Sequence, residues 1–447
     1  MIKQYVPTPL GVIIIVLVSA IFYMVIISMT DSFFEVARER SYNLSQIRYT
    51  GGHFDEKEKE GNFLDYETLS IEESAFVKEA SNLFALKFYD QIRQEEENIF
   101  FSPYSISTAF SMIYEGARTE TAKEMQEAFN FHEDDRIRRM GSRELHKKLN
   151  VEDGSYELQV ANAIWVEENY ELLQEFTNTV KNYYLSEAHR LDFTNDPNQS
   201  RETINEWVAE KTNDLISDLF PPGSINTETK LALTNAIYFK GDWKDEFDED
   251  LTRDEDFYIT PTQTVQVPMM RRTGENYDYY ENEQVQVLRM PYKGEEISMI
   301  AVLPQDQSLT SVEENLTLEK KQEWRNGLAD ERVDVFFPKF ELDTDYTLLS
   351  VLERMGVIKA FAEREADFSG IEPNKELFIT SAVHDAFITV DEAGTEAAAA
   401  TGIGMGITSV PVEPDYYIFR ADQPFLFFIE DDTSGHILFM GRVSNPS

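Results

Sequence analysis

The chain has 447 residues, no cysteine and a formal net charge of −42 at pH 7. Without cysteine it can form neither disulfide bonds nor a catalytic thiol. The acidic charge argues against nucleic acid as a partner, because phosphate contacts need a basic surface. The charge itself has two explanations, a solvated acidic surface or attraction toward a basic protein partner.

The N-terminal 70 residues divide into three segments. Residues 1–9 form a short tail, and residues 10–29 are an uncharged run long enough for a helix across a bilayer core of about 30 Å. This run exceeds the apolar stretch of about 7–15 residues found in cleaved signal peptides. We therefore expect an uncleaved transmembrane signal anchor, with secretion after cleavage as the alternative. Residues 30–70 contain the charge run 55–60 and are expected to be a flexible spacer.

Basic residues lie on both sides of this run. Lys3 precedes it, whereas Arg38, Arg40 and Arg48 follow it, so the positive-inside count does not favour an outside domain. The nine-residue tail is nevertheless the easier piece to leave in the cytoplasm. We expect the rest of the chain on the extracellular side of the membrane.

Beyond the spacer, the hydrophobic spacing predicts helices first and strands later. The predicted helices are 71–94 with Ser70 as its cap, 105–115, 119–129 and 203–215, and the predicted strands are 158–166, 181–185, 231–239 and 377–390. After Asp254 strands dominate. The order of elements indicates a mixed α and β fold without strict alternation.

A long segment of small residues, 394–411, follows the last of these strands. It contains one charge, Glu396, and no aromatic residue, and another strand-like segment begins at Tyr416. Loops of this length inside a compact domain are usually functional. Exposed loops of small residues are also where proteases cut.

Alternate residues of this segment differ in character, as they would in a strand. One set could be buried: Thr395, Ala397, Ala399, Thr401, Ile403 and Met405. The other could face solvent: Glu396, Ala398, Ala400, Gly402, Gly404 and Gly406. No proline precedes Pro411, so the segment could join a sheet. A short helix over 396–400 is the competing interpretation, because alanine and glutamate favour helices.

The sequence lacks the common catalytic and ligand-binding motifs. It has no Gly-x-Ser-x-Gly elbow, His-Glu-x-x-His motif or phosphate-binding loop, and its six histidines show no ligand spacing. We therefore expect no enzymatic activity, cofactor or metal. His384 lies in the apolar strand 377–390 and is expected to be a buried histidine with hydrogen-bond partners.

Several ordered motifs between residues 71 and 447 resemble the serpin family, in its inhibitory form. They include Asn-Ile-Phe-Phe-Ser-Pro-Tyr-Ser-Ile at 98–106, Thr-Asn-Ala-Ile-Tyr-Phe-Lys-Gly-Asp-Trp at 234–243, Glu-Ala-Gly-Thr-Glu-Ala-Ala-Ala-Ala-Thr at 392–401 and Asp-Gln-Pro-Phe-Leu-Phe-Phe-Ile at 422–429. The resemblance implies an α+β, multi-domain-like serpin domain over 71–447. It also implies about nine helices, three β-sheets and an exposed reactive-centre loop at about 392–415.

The resemblance also assigns roles to residues. It implies a loop hinge formed by Glu392, Gly394, Thr395, Ala397, Ala398, Ala399, Ala400 and Thr401. It implies a polar cluster below the gap between the central strands, the shutter, formed by Ser102, Ser105, Asn235 and His384. The family's spacing from Glu392 places the cleaved bond between Thr408 and Ser409, although a cut after Met405 or Ile407 stays open.

The implied function is inhibition of a serine protease by a suicide-substrate mechanism. A threonine before the cleaved bond suits elastase-like or subtilisin-like enzymes, and no Lys or Arg lies between Asp391 and Tyr417 for a trypsin-like pocket. The alternatives are a non-inhibitory member that acts as a binding, chaperone or structural protein, and an inhibitor of a cysteine protease. A monomer is expected.

Overall fold

The described part of the chain begins with a long helix. The computed structural model describes residues 63–94, 97–149, 156–305, 308–395 and 416–447, and Leu64–Ser447 is one compact unit. The expected tail and signal anchor lie outside these ranges, together with most of the spacer. No helix within the ranges is long and apolar enough to cross a membrane.

Nine α-helices occur in the described ranges. They are α1 (Phe63–Ile92), α2 (Pro103–Tyr114), α3 (Thr119–Phe129), α4 (Asp135–Leu149), α5 (Gln174–Tyr183), α6 (Pro197–Lys211), α7 (Leu309–Glu314), α8 (Leu318–Gly327) and α9 (Leu348–Arg354). Short 3₁₀ turns lie at Glu249–Leu251 and Lys359–Phe361. The predicted helices 105–115 and 119–129 are confirmed as α2 and α3.

Two of the predicted helices differ from the structure in their start. α1 begins at Phe63, before the predicted Ser70 cap and inside the predicted spacer. α6 begins earlier than the predicted 203–215, because Asp196 caps it by accepting a hydrogen bond from the Gln199 N–H at 3.3 Å.

The predicted strand 181–185 is wrong, because its first residues belong to the end of α5. Phe176, Thr179 and Val180 are buried along one face of that helix, which is a helical spacing and not an alternating one. Leu185 follows with a φ of 50°, which ends regular structure there. The predicted segment of five residues is too short to show this helical periodicity.

The smaller sheet has six strands. They are β2 (Tyr156–Glu167), β3 (Ala188–Leu191), β4 (Leu231–Asp242), β10 (Phe340–Thr347), β11 (Ile379–Val390) and β12 (Gly394–Thr395). Their order in the sheet is β10-β11-β12-β4-β2-β3. The predicted strands 158–166, 231–239 and 377–390 are confirmed as β2, β4 and β11. At the centre, β4 and β11 also pair directly, and they run parallel.

The larger sheet has nine strands. Its members are β1 (Ile99–Phe101), β5 (Arg253–Thr260), β6 (Gln263–Glu281), β7 (Val285–Pro291), β8 (Ile297–Pro304), β9 (Ala329–Pro338), β13 (Tyr417–Arg420), β14 (Phe425–Asp431) and β15 (Ile437–Val443). The fold class is confirmed. Two hydrogen-bonded sheets replace the expected three because the 19-residue β6 pairs with β5, β9 and β7 in turn and so joins two groups of strands.

The six-stranded sheet has different neighbours on its two faces. On the inner face, odd-numbered residues of β4 and even-numbered residues of β11 pack into the main core, as Leu233 and Ala382 do. On the outer face, Ala232 and Ala236 of β4 pack with Ile204 and Val208 of α6. Both faces of the central strands are therefore covered, so any residue added between them must suit two packed layers.

Candidate functional site

A buried polar cluster lies on the inner face of the six-stranded sheet, where β2, β4 and β11 meet the start of α2. It brings together the four expected shutter residues and one that was missed: Ser102, Ser105, Asn235, His384 and Asn162. The first four are fully buried, and Asn162 is 7% exposed. Buried polar side chains destabilise a core unless they hydrogen-bond to one another, so the bonding pattern decides what this cluster does.

His384 connects the two central strands. It lies opposite Asn235 in the parallel ladder between β11 and β4, and its Nδ1 is hydrogen-bonded to Asn235 Oδ1. Its Nε2 accepts a hydrogen bond from the Ser102 backbone N–H at 3.0 Å, so the proton is assigned to Nδ1. Burial lowers the pKa of His384 to about 3, and the ring is therefore neutral.

The remaining bonds tie the same strands to α2. Asn235 Nδ2 donates to Ser105 Oγ at 2.8 Å and to Asn162 Oδ1 at 2.6 Å. Asn162 Nδ2 donates in turn to the Ser105 carbonyl at 3.0 Å. Ser102 caps α2 by accepting from the Ser105 N–H at 3.1 Å, and its hydroxyl donates to Leu438 O at 2.7 Å. Each side chain of the cluster is bonded, so separating β4 from β11 breaks a satisfied network.

The chain that leaves β11 is held by Glu392. This carboxylate is 7% exposed and accepts hydrogen bonds from Lys339 Nζ at 2.6 Å and Thr252 Oγ1 at 2.7 Å. Burial would raise the pKa of Glu392, but these bonds outweigh it and lower the pKa below its usual value. The Phe247 N–H donates to the Glu392 carbonyl at 2.8 Å. Glu392 is therefore an ionised anchor at the start of the loop.

Two residues further on, the chain has already entered the sheet. Gly394 and Thr395 form β12, which pairs antiparallel with β4 and with β11. A Cβ on Gly394 would lie 2.2 Å from the Gly241 carbonyl oxygen, so only glycine fits there. Thr395 is fully buried, and its hydroxyl is 2.8 Å from the Tyr292 hydroxyl.

Direct pairing between the two central strands, β4 and β11, ends just below β12. Their parallel pairing runs from Ile379 opposite Leu231 to Phe387 opposite Tyr238 and then stops. β12 resumes the connection, with Thr395 opposite both Gly241 and Val390. Parallel pairing is slightly weaker per residue than antiparallel pairing. A strand entering from β12 would therefore replace one parallel ladder by two antiparallel ladders.

Not all of the predicted site lies in the described ranges. Glu392, Gly394 and Thr395 are placed at the top of the sheet, whereas the hinge residues 397–401 and the bond Thr408–Ser409 are outside those ranges and stay predictions. Asn162 was missed although it interrupts the apolar run 158–166, which is a usable signal. Tyr292 and Thr252 reach the loop only through tertiary packing, and nothing local marks them.

Comparison with known proteins gives consistent results. A family model described as Serpin (serine protease inhibitor) matches residues 79–446. An uncharacterized serpin-like protein of Methanosarcina acetivorans is 40% identical over 381 residues, covering 85% of this chain and 88% of that protein. The human leukocyte elastase inhibitor is 39% identical over 380 residues, covering 82% of this chain and 98% of that protein.

Solved structures agree on the fold. Serpin48 of the insect Tenebrio molitor, described as a highly specific serpin, has a TM-score of 0.73 and 32% identity to this chain. The match covers 87% of this chain and 100% of that structure.

Proposed function

Because this chain belongs to the serpin family, we propose that it inhibits serine proteases as a suicide substrate and traps them in covalent form. The observation that carries the proposal is β12, which already lies antiparallel between the upper ends of the two central strands, above the point where their direct pairing ends. A non-enzymatic role fits the family. The binding, chaperone or structural alternative is the outcome that the experiment below would favour if no protease is trapped.

The proposed chemistry starts at the loop and ends at the protease. The protease serine attacks the carbonyl carbon of Thr408, the peptide bond to Ser409 breaks, and an acyl-enzyme forms. The free end of the loop then enters the sheet and carries the protease with it. Distortion of the protease oxyanion hole and triad stops deacylation. A cysteine protease forms an equivalent acyl-enzyme and is a secondary target class.

The register of β12 predicts where each hinge residue would go. Thr395 lies on the inner face opposite Gly241 and Val390, so continuing both antiparallel ladders places alternate residues on that face. Ala397 would lie beside Phe239 and Ile388, and Ala399 beside Ile237 and Ala386. Thr401 would arrive between Asn235 and His384, where its hydroxyl could replace part of the opened network. None of these entering residues is charged or bulky.

The other alternating set requires a revised interpretation. The sequence suggested that it could face solvent, but the outer face of β4 is covered by α6. We propose instead that Ala398, Ala400, Gly402 and Gly404 are small because they would pass beneath that helix. Glu396, the one charged member, would lie next to the top of the sheet, beside Lys240 and Thr389.

The target class is proposed from the bond Thr408–Ser409, as a serine protease with a small or apolar specificity pocket. The similarity to the leukocyte elastase inhibitor supports an elastase-like target, and subtilisin-like enzymes fit the same chemistry. We also propose that the protein acts as a monomer.

We also propose that the domain works outside the cell, held by residues 10–29 or secreted after their removal. The support is the length of that uncharged run. Expression with the native N-terminus, followed by membrane fractionation and N-terminal sequencing, separates the two. Recovery of the intact chain only in the cytoplasm would contradict both.

The inhibitor proposal is tested by mixing the full chain with an elastase and a subtilisin. The expected result is a band at the summed mass that resists denaturant, together with a released C-terminal peptide that begins at Ser409 by mass spectrometry. Complete cleavage without this band would reject the proposal and favour the non-inhibitory alternative.

A further inference from the structure

A cavity of about 30 Å³ lies where α1, α2 and α4 meet the chain that follows α3. Its lining includes the apolar side chains of Phe76, Val77 and Phe131 and the polar side chains of Ser81, Ser107 and Arg138. None of these residues has a part in the proposed trapping of a protease. The cavity is therefore a separate feature of the fold, and we call it the three-helix cavity.

Three polar atoms of this lining have no hydrogen-bond partner within the described ranges. They are the hydroxyl oxygens of Ser81 and Ser107 and the Nε of Arg138, one atom from each of the three helices. The three residues are 3%, 8% and 4% exposed, so bulk solvent does not reach them. Most buried polar side-chain atoms in native proteins are bonded, either to protein or to an ordered bound molecule. Three such atoms around one cavity point to a molecule that they share.

The charges beside the cavity are balanced among themselves. Arg138 pairs with Glu115 at 3.5 Å and with Asp135 at 2.5 Å. Arg139 pairs with the same two carboxylates, at 2.7 Å and 3.6 Å. An added anion would lack a compensating charge, and an added cation would meet the guanidinium of Arg138. The shared molecule is therefore neutral.

The donors and acceptors of the lining define its chemistry further. Arg138 Nε carries a hydrogen and no free lone pair, so the ligand must accept a hydrogen bond from it. Each serine hydroxyl can either donate or accept. An oxygen that bears a hydrogen satisfies all three groups, because it both accepts and donates. A cavity needs about 10–15 Å³ to hold one water molecule, so this one has room for one or two.

Phe76 gives the cavity an entrance. This residue is 48% exposed, and its ring packs against the His132 ring with 5.1 Å between centroids. Both rings line the cavity. Exposed side chains change rotamer within nanoseconds, so a small molecule can pass Phe76 without unfolding of the helices.

We propose that the three-helix cavity is a binding site for a hydroxyl ligand that bridges Ser81, Ser107 and Arg138. The hydroxyl belongs either to an ordered water molecule or to a small alcohol such as methanol, whose methyl group would lie against Phe76. The bound oxygen joins α1 to α2 and α4 through one shared set of hydrogen bonds. This inference goes beyond the proposed inhibitory function and does not depend on it.

The test is a crystal structure of the full chain, grown without alcohol and then again after a soak in methanol. We expect electron density for an oxygen within about 2.7–3.2 Å of Ser81 Oγ, Ser107 Oγ and Arg138 Nε. After the soak, density for a methyl group beside Phe76 would identify an alcohol as a ligand. Unchanged density would identify water as the ligand.

The variant Ser81→Val removes one partner and places two methyl groups in the cavity, so the density of the bridging oxygen should be lost. The matched control is Ala75→Val, which introduces the same residue at an exposed position of α1 outside the lining and should keep that density. The wild-type crystals decide the proposal even if Ser81→Val does not fold. Absence of the bridging oxygen from both wild-type crystals would overturn the proposal, as would a direct hydrogen bond between Arg138 Nε and either serine.

A density that persists unchanged in Ser81→Val would also overturn it, because the oxygen would then be held by other groups. None of these outcomes bears on covalent trapping of a protease, which is measured separately.

Discussion

His384 is buried without charge, and both of its ring nitrogens hold the central strands in place. Nδ1 is bonded to Asn235 on β4, and Nε2 is bonded to the Ser102 N–H at the start of α2. The ring therefore joins the strands that must separate if the loop is to enter. A side chain in this position contributes both to the stability of the uncleaved protein and to the free energy needed to separate β4 from β11.

The first prediction concerns removal of this ring. His384→Ala leaves the Ser102 N–H and Asn235 Oδ1 without their partner and opens a cavity. Each unsatisfied buried group costs about 1–3 kcal/mol, so the free energy of unfolding should fall by at least about 2 kcal/mol. The measurement is the denaturant midpoint of the uncleaved protein.

A control residue for this prediction lies on α2, the helix whose first turn is bonded to His384. The hydroxyl of Ser107 on α2 is buried and has no hydrogen-bond partner in the described part of the protein. Ser107→Ala should therefore change stability by less than about 1 kcal/mol. Equal losses in the two variants would show that the His384 bonds are not what stabilises the cluster.

The second prediction concerns pH. Burial lowers the pKa of His146 to about 4, and the pKa values of His384 and His436 to about 3. These groups stay neutral in the folded chain but take up protons in the unfolded chain below about pH 6.5. Their stabilising effect is therefore complete above pH 6.5 and declines as the pH falls, by about 1.4 kcal/mol per pH unit for each histidine.

The half-buried Asp385 opposes this trend, as do Glu73 and Asp422, whose pKa values burial also raises. Burial, with Asp343 and Asp345 nearby, raises the pKa of Asp385 to about 7, so its protonation below that value favours the folded state. Between pH 6 and pH 5 the three histidines outweigh these acids, and the free energy of unfolding should fall. His436→Leu should flatten this dependence by about 1.4 kcal/mol per pH unit, since both ring nitrogens of His436 lack a partner in the described ranges. Parallel pH profiles for variant and wild type would contradict the assignment.

At the scale of elements, β12 is the point at which the loop would enter the sheet in the proposed mechanism. Its two residues occupy the narrow top of the gap, and Thr395 is fully buried against Tyr292. Tyr292 in turn stacks on Trp243 with 4.6 Å between ring centroids. A larger side chain at residue 395 has no room there, so its passage would hold the loop outside the sheet.

The third prediction follows from this packing. Thr395→Arg places a charge in the fully buried position, and insertion should become slower than deacylation of the acyl-enzyme. The variant should then be cleaved as a substrate, with covalent complex reduced more than tenfold on denaturing gels. Thr395→Ser keeps the hydroxyl and a smaller volume, and should still trap protease. Full trapping by Thr395→Arg would contradict the insertion mechanism.

Most of these elements were predictable from the sequence, and the exceptions have physical reasons. β2, β4, β11, α2 and α3 combine strong periodicity with buried faces, so pattern and structure agree. The end of α5 was assigned to a strand because five residues are too few to distinguish a period of 3.6 from a period of 2. The four residues of the expected shutter lie together in one buried cluster, whereas Tyr292 reaches the site through tertiary packing that no local pattern records.

At the scale of the whole molecule, the proposed mechanism adds one strand at the centre of the six-stranded sheet. The six-stranded sheet has a parallel pair at its centre, a two-residue strand at the top of that pair, and a polar network below it. Both faces of the central strands are packed, by the main core and by α6. Complete insertion would convert the centre to antiparallel pairing, which gives the driving force of the proposed trap.

The most direct test of this account is a cross-link that reports the register of the inserted loop. The chain contains no cysteine, so an introduced pair is unambiguous. Continuing the β12 ladders places residue 402 opposite Val383, within the distance that a disulfide can span. The control pairs residue 402 with Thr389, which is six residues away along β11 and roughly 20 Å from the expected position.

The account predicts that Gly402→Cys/Val383→Cys forms an intramolecular disulfide only after protease cleavage, and that Gly402→Cys/Thr389→Cys does not form one. Mass spectrometry of the oxidised, cleaved protein gives the answer. The same disulfide before cleavage, or none after it while the control pair links, would contradict insertion of the loop between β4 and β11.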